Sequence, residues 1–195
     1  MGYEEAVHRA LAEMEQQQVI SRWCDSSADI ACDIAAHDDP GGSILRDVRI
    51  LPLQGISPAA VYRAACSIGG ENGWYTYNFL WRLRGLVDKL VGGYGLNRGR
   101  RANDKLRLGD ALDFWKVADL KENKRLLLHA QMKLPGKAWL EFDIEPEQLV
   151  QTAHFIPSGV WGRIYWYSVL PLHYLVFTNL ARRILATARI IDQSG

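Results

Sequence analysis

The chain has 195 residues, of which 48% are hydrophobic and 23% charged, and its formal net charge is +1. That composition excludes a disordered or low-complexity scaffold, and the length suffices for one domain with a full core and a small appendage. The near-zero charge hides an uneven spread: residues 1–50 hold 4 Lys/Arg against 10 Asp/Glu, and residues 81–107 hold 8 against 2.

In chain order, residues 3–17 predict a short acidic helix and residues 19–23 a strand-like segment, followed by a polar, small-residue stretch over 25–40. Asp39-Pro40-Gly41-Gly42 is the strongest breaker in the chain and closes an N-terminal acidic arm, residues 1–42. The remainder, 43–195, reads as one domain. It begins with a strand over 48–53, then Ser57-Pro58 caps a short helix over 58–68 that Gly69 and Gly70 end. A longer helix with a broad apolar face spans 75–91, and Gly92-Gly93-Tyr94-Gly95 stops it.

The hydrophobic period then changes from 3.6 to 2. Strands are predicted over 111–117, 125–132, 138–145 and 148–156, with Pro146 in a tight turn between the last two. In the third of these, Ala138, Leu140, Phe142 and Ile144 point to the core and Trp139, Glu141, Asp143 and Glu145 point outward. A long helix over 161–191, kinked near Pro171, ends the chain. Its stripe Trp166, Leu170, His173, Phe177, Leu180, Ile184 and Ala188 marks a core helix. The uncharged run 164–181 invites a membrane reading, but Pro171, His173, Asn179 and the one-sided stripe argue for burial in the protein. The order is α+β: an antiparallel meander closed by one long helix, which can bury its stripe only across a curved sheet and tends to leave a cavity there.

Cys24, Cys32 and Cys66 fit neither a disulfide framework nor a zinc clip, and Cys66 reads as a small core residue. Residues 1–18 carry four glutamates and no apolar run, so they resemble neither a secretory signal nor a transit peptide; the expected location is the reducing cytoplasm. No metal site and no cofactor motif is found: Gly69–Trp74 lacks the end of a phosphate loop, and His37 with Asp33 lacks a third ligand. Arg98, Arg100, Arg101, Lys105 and Arg107 form a basic loop, but no groove-reading element accompanies them and the pI is about 7.7, so nucleic acid is not an expected partner.

The runs GGENGWYTYNFLWRLRGLVDKLVGGYGLNRGRR (69–101), LRLGDALDFWKV (106–117), MKLPGKAWLEF (132–142), QTAHFIPSGVWGRIYWY (151–167) and LPLHYLVF (170–177) resemble the bacterial domain of unknown function numbered 2867. The likeness runs from about residue 47 to residue 189, in order. It implies a helix-grip fold of the START-like, SRPBCC kind, a curved antiparallel sheet wrapped on the C-terminal helix, with an apolar or amphipathic ligand beneath that helix. Members often follow an NAD(P)-binding Rossmann domain, and GYEEAVHRALAEMEQQQVISRW (2–23) looks like the joining segment of such fusions, although no GxxGxxG follows a strand here. No reaction is implied.

Three functions follow as expectations. The first is binding of a small apolar or amphipathic ligand, with Trp81, Trp115 and Tyr167 as aromatic wall and Arg98, Asp113 and His173 orienting its polar end. The second is a cyclase- or dehydratase-type enzyme using Asp113 and His173 as acid and base, Asp113 being preferred because alternation turns Glu141 outward. The third is an accessory module docking on a separate Rossmann oxidoreductase through the acidic arm. That arm and the basic loop can also pair between two copies, as a homodimer.

Overall fold

The computed structural model describes residues 44–69, 73–74 and 106–194. Six strands form one antiparallel sheet: β1 (Leu45–Pro52), β2 (Ala111–Leu112), β3 (Trp115–Lys121), β4 (Arg125–Ala130), β5 (Gly136–Ile144) and β6 (Gln148–Pro157). Two helices complete the described fold, α1 (Pro58–Cys66) and the 35-residue α2 (Gly159–Gln193). The sheet order is β1-β6-β5-β4-β3-β2, so four consecutive hairpins build a meander whose last strand, β6, pairs with β1. The expected α+β architecture with a long C-terminal helix is the one found, a helix-grip arrangement.

Local chemistry explains the elements. Ser57 has extended backbone and its hydroxyl accepts from the Ala60 N–H, while Pro58 fills the first helical position, where no N–H is needed. The Ser57 hydroxyl also donates to the Asp192 carboxylate, which ties the start of α1 to the end of α2. The two helices pack against each other, and Ala60, Val61, Ala64 and Ala65 of α1 and Ala181, Ile184 and Ala188 of α2 are fully buried. Small side chains on both surfaces let the two backbones approach closely.

α2 begins against the turn that precedes β5. The Ser158 N–H donates to the Pro135 carbonyl at 2.9 Å, and Gly162 sits so close that a Cβ there would lie 2.4 Å from the same oxygen. Only glycine fits that approach. Pro171 lies inside the helix without ending it, and Pro171 and Tyr167, whose carbonyl loses its partner, both face solvent, where the loss costs least.

Two sequence expectations change. The predicted strand over 111–117 is two strands, because Asp113 takes a left-handed backbone (φ 54°) and turns the chain between Leu112 and Trp115, which pair across the hairpin. Aspartate tolerates that conformation better than most residues. The second change concerns Glu141. Alternation does set it on the face away from the helices, but Glu141 is only 8% exposed, and Leu127, Trp139, Thr152 and His154 of the same face are buried with it. The helix over 75–91, all of the acidic arm and the basic loop up to residue 105 lie outside the described residues.

Among the described residues, no helix is long and apolar enough to cross a membrane.

Candidate functional site

The helix-facing side of the sheet holds the main core, and at one end that core is not filled. Ala138 on β5 stands opposite Phe155 on β6, and Leu140 stands opposite Ala153, so two methyl side chains lie diagonally adjacent on one face. Across from them α2 presents Tyr165, Trp166, Val169, Leu172, His173, Val176 and Phe177 at helical spacing. Large rings facing two alanines leave a cavity of about 140 Å³. Met132 and Leu134, before β5, and Trp115 of β3 close its far side. Trp139 and His154 complete the wall where β5 and β6 pair, their side chains alternating to the other face.

The rings are ordered by contact with one another. Phe155 stacks on Trp166 at 5.5 Å between centroids, with the planes 7° apart. His173 meets Trp166 edge-on at 5.2 Å and Phe177 at 4.8 Å. Among the described residues that line the cavity, none is Asp, Glu, Lys or Arg. Burial pushes the His173 imidazole down to about pKa 4, an effect that Arg49 reinforces and Asp47 opposes, so the ring is neutral at pH 7.

The cation that couples to His173 is already committed. Arg49 on β1 forms a two-pronged ion pair with Asp47, donates from Nε to the Thr178 hydroxyl at 3.2 Å and lies 5.1 Å from the Tyr174 ring. Three polar nitrogens of the wall are not committed. The indole Nε1 of Trp115 and the Nδ1 atoms of His154 and His173 are buried and have no hydrogen-bond partner among the described residues.

Of the six residues expected to bind ligand, the structure brings Trp115 and His173 into this wall. Tyr167 is 62% exposed on the outer face of α2 and does not line the cavity. Asp113 does not line it either; its carboxylate accepts from the Trp74 indole at 2.7 Å. Burial raises the pKa of Asp113, although the Trp74 hydrogen bond opposes the rise. Asp113 and His173 therefore do not meet in one cavity as the acid/base pair of an enzyme would. Trp81 and Arg98 lie outside the described residues.

Sequence reasoning passed over two features. The alanines that make the hollow carry no chemistry, and their signal is small size on the core face of neighbouring strands. The other is a buried chain of charge on the far face. The Glu141 carboxylate takes one hydrogen bond from His154 Nε2 at 2.7 Å and a close ion pair from Arg125, which also reaches Asp119 at 3.3 Å. Burial alone would raise the Glu141 pKa, but His154 and Arg125 outweigh it and hold the carboxyl below its usual range. An ionised Glu141 only accepts, so His154 carries its proton on Nε2. Among the described residues, no group of three or more His, Cys, Asp or Glu is placed to hold a metal ion.

A family model described as Protein of unknown function (DUF2867) matches residues 40–180 of the chain. No curated protein matches it.

Proposed function

The chain belongs to the DUF2867 family of proteins of unknown function, and from that premise we propose that it binds a small apolar molecule in the cavity between the sheet and α2. The observation that carries this reading is the pairing of Ala138 and Ala153 with an aromatic helix face that does not fill the space they leave. A core built only for stability would close such a gap, because interiors pack at crystal density and each missing methyl group weakens them. At about 140 Å³ the hollow is close to the ~150 Å³ apolar cavity that holds a benzene ring. The ligand is thus ring-sized, much smaller than a long-chain lipid.

Ethylbenzene is a suitable probe. At ten times its dissociation constant it should stabilise the protein by about 1.4 kcal/mol, which for a chain of this size raises the thermal midpoint by roughly 3–6 °C. In Ala153→Phe the added ring occupies the hollow and the shift should vanish. An unchanged midpoint in the wild type, or an equal rise in the filled variant, would refute the proposal.

A further inference from the structure

The wall of the cavity also says what kind of molecule fits it. Trp115 is 5% exposed, and its indole N–H can only donate. His173 offers Nδ1 from the opposite side, on α2, and both atoms are buried without a partner among the described residues. A buried polar nitrogen without a partner is unfavourable, and native proteins keep few of them. The unpartnered nitrogens of Trp115, on the sheet, and His173, on α2, are explained together if a ligand supplies the missing partner atoms. The charge of that ligand is constrained as well. No cationic side chain lines the cavity among the described residues, and the guanidinium of Arg49 is saturated by Asp47, Thr178 and Tyr174. A carboxylate or phosphate would lie there against apolar walls with no counter-charge, which is unfavourable.

We infer that the ligand is an uncharged compound of one or two rings, carrying a carbonyl or ether oxygen that accepts from the Trp115 indole and faces His173. This rests on the cavity being a binding site, as proposed above, and adds to it a polar group and a charge rule.

Three probes of similar shape separate the possibilities in calorimetric titrations at pH 7: acetophenone, ethylbenzene and benzoate. Acetophenone should bind, and benzoate should bind at least ~10-fold more weakly than acetophenone. Trp115→Phe removes the donor and keeps most of the ring. It should weaken acetophenone by roughly 3- to 10-fold more than it weakens ethylbenzene, which senses only the changed shape of the wall. Equal effects of Trp115→Phe on the two neutral probes, or benzoate bound as tightly as acetophenone, would overturn the inference while the binding cavity stands. If neither neutral probe binds, the cavity proposal falls and this inference with it. The benzoate comparison uses the wild-type protein alone, so it decides the charge rule even if the variant does not fold.

Discussion

Replacing Glu141 with leucine is expected to destabilise the fold by about 3–5 kcal/mol, although the residue lies on a strand face that alternation alone would assign to solvent. The carboxylate is the shared partner of His154 and Arg125, whose side chains are 8% and 22% exposed. Without it, His154 keeps a buried Nε2–H with no acceptor, and Arg125 keeps only Asp119 at 3.3 Å and Asp143 at 3.8 Å. The cost arises from the groups left behind more than from the bond removed, because a buried polar group without its partner loses its hydration for nothing in return. Glu141→Gln should fall between wild type and Glu141→Leu, since the amide oxygen can still accept from His154 but carries no charge for Arg125. Urea unfolding at pH 7 measures all three. A loss below about 1 kcal/mol for Glu141→Leu would show that this face is wetter than the structure has it.

Stability should also fall steeply as the solution is acidified from pH 6.5 to pH 4. His129 and His173 each have a pKa of about 4 in the fold, against 6.5 when exposed. Burial is the main cause for both. Lys137 and Lys116 add to it at His129; at His173, Arg49 adds to it and Asp47 opposes it. The sign follows directly: between pH 6.5 and 4 the unfolded chain takes up protons that the folded chain refuses, so acid favours unfolding throughout that window. The loss is on the order of 3 kcal/mol per histidine by pH 4. Glu141, with its lowered pKa, adds a further loss below 4.5, whereas Asp113 and Asp143, with raised values, partly offset it. Near pH 5 the slope of stability should approach two protons, about 2.7 kcal/mol per pH unit. His173→Phe places another ring between Trp166 and Phe177 and should halve that slope. An unchanged slope would mean that His173 already titrates normally in the fold.

Much of the architecture could be read from the chain because its periodicity is strong where the fold is regular. The turn at Pro146 fixes the β5–β6 register: counting outward from it sets Trp139 opposite His154 and Glu141 opposite Thr152. Glu141 and His154 are therefore diagonal neighbours on one face, within reach of long side chains. Their pairing was implicit in the hairpin, but their burial was not, because alternation assigns a side chain to a face and does not say whether that face is covered. The strand over 111–117 failed for a local reason. Its apolar residues lie on both sides of Asp113, and only the left-handed backbone of Asp113 reveals the turn.

The site was legible by halves. Trp115 and His173 stand out as an aromatic and a titratable group on core faces. Tyr167 and Asp113 carry the same kind of signal, yet one faces solvent and the other is held by Trp74. Residue type cannot separate these cases, since a ring on a helix lines a cavity only if the space opposite is empty. That space comes from Ala138 and Ala153, which draw no notice in a search for reactive groups.

Methyl-resolved NMR of the full chain titrated with ethylbenzene tests the binding cavity most directly. Saturable shifts should appear at the methyls of Ala138, Ala153 and Val176, which line the hollow, while those of Ala60 and Ala64, buried on α1, stay in place. Shifts that do not saturate, or that appear at Ala60 and Ala64 and spare Ala138 and Ala153, would contradict a ligand seated between the sheet and α2.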